Sequence, residues 1–88
     1  MPTPRDVLNE LKWRRAALDE AIVYYVHRGA PDDTAIVSGD RIINLHHSWM
    51  ELPGPQGSVM IPYHRIFRIE RDGKPIWERR GREQTRDG

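Results

Sequence analysis

Ala21-Ile22-Val23-Tyr24-Tyr25-Val26-His27-Arg28-Gly29-Ala30-Pro31-Asp32-Asp33 is the run that decides the fold. After Ala21 the residues to Val26 are β-branched or aromatic, which suits a pleated strand, and Gly29 to Asp33 is a breaker cluster that stops it. The strand is apolar at both odd and even positions. That pattern predicts a central strand, or one covered on both faces, rather than one with a solvated side.

Downstream, Thr34 to Val37 reads as a short second strand that Ser38-Gly39-Asp40 turns. Arg41 to Leu52 mixes its apolar parities: Ile42, His46 and Met50 fall on one side and Ile43, Leu45, His47 and Trp49 on the other. A bent strand, or two strands broken near His46-His47, fits this better than one flat strand. Pro53 to Ser58 reads as a loop, and Val59 to Ile61 as a brief strand pushed to an edge by Pro62, which lacks an N–H. Ile66 to Arg71 and Lys74 to Arg79 flank Asp72-Gly73, a pair suited to a two-residue hairpin turn. The simple register sets Ile69 against Ile76 and Arg68 against Trp77, and Pro75 marks the outer strand. Upstream, Thr3-Pro4-Arg5-Asp6 has the chemistry of a helix start, with Thr3 as N-cap, Pro4 in the first helical position and Asp6 in the first turn. Val7, Leu8 and Leu11 share one stripe of a helix from about Pro4 to Trp13. Arg14 to Glu20 either extends this helix or forms its exit. Together these elements predict an α+β fold, in which the N-terminal helix packs on a small, bent, mainly antiparallel sheet of about five strands, barrel-like at its most curved.

The chain of 88 residues is long enough for one domain, expected over residues 1–80, and residues 81–88 are polar throughout and read as a flexible tail. Without cysteine, disulfides, thiolate metal sites and cysteine nucleophiles are excluded. The amino terminus lacks the apolar run of a signal peptide and no segment approaches a membrane span, so a soluble, cytoplasmic protein is expected. The net charge of +1 says little, but its distribution says more. From His64 to Gly88 the balance is about +3, against about −2 elsewhere, and every basic residue except Lys12 and Lys74 is an arginine. Arginine forks onto phosphate and stacks on bases, although a heat-adapted or GC-rich source also favours it.

Two dipeptides carry the chemistry. His27-Arg28 precedes Gly29 and His64-Arg65 follows Tyr63, each beside a chain reversal. Brought together, they would form a phosphate pocket with Arg28 and Arg65 as forked donors, His27 and His64 as single donors and Tyr63 as a stacking or hydroxyl partner. The plainer alternative is a hydrogen-bonded structural histidine and an arginine lying over apolar neighbours. Arg68 beside Trp77 would offer a cation and an indole to a single-stranded base. His46-His47-Ser48 supplies half of a paired His-x-Ser/Thr phosphoesterase signature. The other half is missing, and adjacent histidines on a strand point to opposite faces. Paired carboxylates, glycine-rich phosphate loops and nucleophile elbows are not found, so no catalytic residue, metal or cofactor is assigned.

Leu11-Lys12-Trp13, Tyr25-Val26-His27-Arg28-Gly29-Ala30-Pro31, Ile61-Pro62-Tyr63-His64-Arg65-Ile66 and the closing Asp72-Gly73 with Ile76-Trp77-Glu78-Arg79 resemble the RNA cyclic group end recognition domain. That family is common in archaea and is also found fused to RNA-repair proteins. The resemblance covers about Pro4 to Arg79, with departures at His46-His47-Ser48 and at Pro53 to Gly57. It implies an RNA-binding module for ends bearing a 2′,3′-cyclic or related terminal phosphate, acting in RNA processing or repair. His27, Arg28, Tyr63, His64 and Arg65 would form its pocket, and RNA, a larger ribonucleoprotein or RNA-repair enzymes its partners. The alternatives are a cyclic phosphodiesterase or ribonuclease with two histidines as acid and base, and a structural ribonucleoprotein component.

Overall fold

A computed structural model describes residues 2–79, so the polar tail expected over residues 81–88 lies outside the described residues. Helix α1 spans Pro4–Trp13 and starts as its sequence dictates. The Thr3 hydroxyl accepts from the Asp6 N–H at 3.1 Å, and the Asp6 carboxylate accepts from the Thr3 N–H at 3.0 Å. This reciprocal cap satisfies two donors that a helix start leaves open. Pro4, Leu8 and Leu11 make the buried stripe. Burying each leucine contributes about 1.5–3 kcal/mol, which holds a helix too short to persist alone in water. The chain leaves through Ala16 in the left-handed region (φ 50°), so Arg14 to Glu20 is the helix exit, ending in a 3-10 turn at Leu18–Glu20.

Among the described residues seven strands follow: β1 (Ala21–Val26), β2 (Thr34–Ser38), β3 (Asn44–Leu45), β4 (Trp49–Gly54), β5 (Gly57–Pro62), β6 (Ile66–Arg71) and β7 (Lys74–Glu78). They form two antiparallel sheets, ordered β2-β1-β6-β7 and β3-β4-β5, which do not close into a barrel. The α+β class holds, while the single sheet of about five strands is corrected to sheets of four and three strands. Two turns explain the difference. His46–Ser48 reverses the chain, pairing β3 with β4, and the expected Pro53–Ser58 loop shrinks to Pro55-Gln56 because Pro53 pairs with Ser58 and Gly54 with Gly57. Proline and glycine are tolerated here because the pairing runs out at the tip of a hairpin.

β1 is central in the larger sheet, with Ala21, Val23 and Tyr25 buried on one face and Ile22, Tyr24 and Val26 half-buried on the other. Met50, Leu52 and Ile61 from the smaller sheet, Ile66 and Ile69 from β6, Leu8 and Leu11 from α1, and Ala17 and Tyr63 complete the core. Asp72 and Gly73 both take positive φ (57° and 76°), as a tight hairpin turn requires. The hairpin register differs from the simple one. A shift between Ile69 and Glu70 sets Trp77 opposite Ile69 and Glu78 opposite Arg68, leaving Ile76 unpaired and 43% exposed. The bulge lets the larger apolar side chain, the indole, take the place beside the core.

Candidate functional site

β1 ends where β6 begins. The last pair of their ladder is Tyr25 with Ile66, so His27-Arg28 leaves the sheet and His64-Arg65 enters it at the same end, on neighbouring strands. All four side chains are exposed. The first pair sits on a knitted loop: the His27 N–H donates to the Asp33 carbonyl (2.8 Å), the Ala30 N–H to the His27 carbonyl (3.1 Å) and the Gly29 N–H to the Asp33 carboxylate (3.2 Å). Gly29 takes φ +95°, so a side chain there would be strained even though the space is open.

The second pair sits on a 3-10 turn, Tyr63–Arg65, held from three directions. The Tyr63 ring is 8% exposed, its hydroxyl donates to the His46 carbonyl at 2.7 Å and its N–H donates to the Ser48 carbonyl at 3.3 Å. Burial pushes the Tyr63 phenol above its ordinary value, against the pull of the Arg5 charge. Sealed and already bonded, this ring supports the turn and offers no open face for stacking. From the other side Arg79 reaches in, with Nε donating to the Ile66 carbonyl at 3.1 Å and Nη2 to the Tyr63 carbonyl at 3.2 Å. Its guanidinium also lies 5.2 Å from the Trp77 ring centroid.

The arginines divide into matched and unmatched charges. Arg15 pairs with Glu10, Arg71 with Glu20, and Arg68 with both Glu70 (2.7 Å) and Glu78 (3.1 Å). Arg28 and Arg65 face no carboxylate among the described residues. Arg68 therefore does not stand opposite Trp77, as the simple register had it. It lies 5.7 Å from the Tyr24 ring centroid, and Trp77 donates its indole N–H to the Pro2 carbonyl at 3.0 Å. The Tyr24 hydroxyl donates to Glu70, which raises its phenol.

His46, His47 and Ser48 form the β3–β4 turn, and His46 Nε2 lies 2.8 Å from Glu51 Oε1. A carboxylate only accepts, so Nε2–H is the donor in this bond. Glu51 is held below its ordinary value of 4.5 by hydrogen bonds from His46, then Ser58, then Asn44. The sign follows from linkage: a lowered folded value adds stability that is complete above the ordinary carboxylate value and is lost as pH falls through the folded one. Glu51→Gln should therefore be less stable than the parent at neutral pH, with the gap closing below about pH 4.5. Urea midpoints across that range check it, and a gap that stays constant would remove the carboxylate from the account.

The fold and this end of it define a small α+β domain with a cationic rim. The chain belongs to the MJ1316 RNA cyclic group end recognition domain family, whose model matches residues 1–79. It is similar to a UPF0248 protein of Methanopyrus kandleri, 33% identical over 76% of this chain and 85% of the relative. A UPF0248 protein of Thermococcus onnurineus is 38% identical over 86% of this chain and 84% of its own length, and one of Methanococcus vannielii is 30% identical over 75% and 76%. No solved structure gives a significant match. Among the described residues no helix is long and apolar enough to cross a membrane, and no three His, Cys, Asp or Glu side chains gather as metal ligands would.

Proposed function

We propose that the end of the larger sheet shared by His27, Arg28, His64 and Arg65 binds the terminal phosphate of an RNA, with a 2′,3′-cyclic phosphate as its intended form. The observation that carries this is the Tyr25–Ile66 pairing, which sends both dipeptides out at one end with neither arginine bound to a carboxylate among the described residues. Two forked cations and two imidazoles suit an anion with several acceptor oxygens. The family description supports the cyclic end in particular. Tyr63 fixes the turn from beneath, and the module would work in RNA processing or repair, alone or beside repair enzymes.

Matched oligonucleotides ending in cyclic phosphate, 3′-phosphate or hydroxyl test the reading. Both phosphate ends should bind about tenfold tighter than the hydroxyl, since one charge-assisted contact is worth about 1.5–3 kcal/mol. Charge alone favours the open phosphate, which carries about −1.5 to −2, so tighter binding of the cyclic monoanion would report its shape rather than its charge. Arg28→Ala and Arg65→Ala should each lower the salt slope by about one. Equal affinities for all three ends would defeat end recognition.

A further inference from the structure

Among the described residues two buried side-chain nitrogens lack a hydrogen-bond partner, Arg5 Nε and Arg68 Nε. The other nitrogens of Arg68 hold Glu70 and Glu78, so its charge is matched. Arg5 has no such match. No described carboxylate pairs with its guanidinium. The carboxylate that feels its charge, Asp6, is engaged by Thr3 in the helix cap. A buried donor left unmade costs about 1–3 kcal/mol and calls for an explanation. Nε itself is sealed, so a ligand would meet the guanidinium at its terminal nitrogens, which are not among the buried unpartnered atoms.

The position of Arg5 says which acceptor. α1 packs against the Tyr63–Arg65 turn and against β3, and the Arg5 charge reaches the Tyr63 phenol, whose hydroxyl is bonded to His46. The His64-Arg65 turn thus has the His27-Arg28 loop beside it through the β1–β6 ladder, and α1, the helix that carries Arg5, packs on the same turn. We propose that Arg5 is a second anion subsite that takes a backbone phosphodiester of the RNA strand whose end is held by the two His-Arg pairs. This rests on the function proposed above. An RNA end brings its next phosphates with it, and a guanidinium without a carboxylate is the side chain suited to fork onto one.

The test varies ligand length and Arg5 together. A nucleoside 2′,3′-cyclic monophosphate carries the end group alone, whereas a cyclic-ended tetranucleotide adds backbone phosphates. Arg5→Gln should leave affinity for the mononucleotide unchanged, weaken the tetranucleotide about five- to tenfold and lower its salt slope by about one. Arg5→Lys keeps the alkyl stem and the charge but not the fork; it should restore the slope and only part of the affinity. It stands in for Arg5→Gln if that variant does not fold, and tetranucleotide affinity equal to that of the parent would then overturn the subsite. Arg5→Gln with unchanged tetranucleotide affinity overturns it too, as do equal losses on both ligands, which would put Arg5 in the end pocket. If hydroxyl-ended and cyclic-ended tetranucleotides bind the parent equally and both weaken in Arg5→Gln, end recognition fails while the subsite stands. If the parent binds none of these ligands, both fall.

Discussion

Gly39→Ala should lower the melting temperature further than any other single added methyl in this domain. Gly39 is buried at the start of the 3-10 turn Gly39–Arg41, which packs against the Leu18–Glu20 turn and β1. A Cβ there would fall onto the Leu18 carbonyl oxygen, 3.0 Å from its carbonyl carbon and 3.3 Å from the Ala21 Cβ. None of these atoms can swing aside. The Leu18 carbonyl accepts the Ala21 N–H, and Ala21 is fully buried as the first residue of the central strand. Overpacking against backbone costs about 3 kcal/mol or more, out of the about 5–15 kcal/mol that hold a domain folded. At about 4–8 °C per kcal/mol for a domain of this size, the melting temperature should drop by more than about 12 °C. Gly73→Ala is the control. Its Cβ meets nothing within 4 Å, but its φ of +76° strains an alanine, so a cost of about 1 kcal/mol is expected. Similar small shifts for both variants would show that the two turns are not pressed together.

What the sequence revealed, and what it hid, divides by range. The Thr3-Pro4-Arg5-Asp6 cap and the Asp72-Gly73 turn were legible because their chemistry lies within a few residues, and α1 and the turn stand where those residues put them. β1 was legible as central because a strand apolar on both parities has few other places to go. The β6–β7 register was not, since the bulge at Ile69/Glu70 depends on Trp77 finding the core and the Pro2 carbonyl, contacts that only the assembled fold supplies. Nor was the Pro53–Ser58 segment, whose composition reads as loop while its backbone completes a hairpin. At the rim, the His-Arg dipeptides announce themselves by residue type. Arg5 and Arg79 do not: each is one arginine among many, and only three dimensions separate an unmatched guanidinium from one tied to a carboxylate or a carbonyl.

Arg79 carries the second large effect, because it acts on the rim through the backbone that presents His64 and Arg65. Its Nε and Nη2 hold the carbonyls of Ile66 and Tyr63, residues that bracket the dipeptide, and its plane lies against Trp77. Arg79→Ala loses two charge-assisted hydrogen bonds and a cation–π contact, so a stability loss of about 2–4 kcal/mol is expected, discounted for partial exposure and non-additivity. The carbonyls left behind can turn toward water, and the turn then loses its fixed direction. Affinity for a phosphate-ended RNA should fall about tenfold or more, as misplacing a preorganised donor does. Both arginine roles predict weaker binding, so affinity alone does not separate positioning from contact. The salt slope does. A residue that touches phosphate takes about one unit of slope with it when removed, whereas one that only holds the turn leaves the number of neutralised phosphates, and hence the slope, unchanged. Arg79→Lys sharpens the point: a lysine keeps the charge but cannot fork onto two carbonyls, so it should bind nearly as poorly as the alanine variant if the hold on the turn matters, and nearly as well as the parent if the charge does. A slope that drops by one in Arg79→Ala and returns in Arg79→Lys would move Arg79 from the support of the rim into the rim itself.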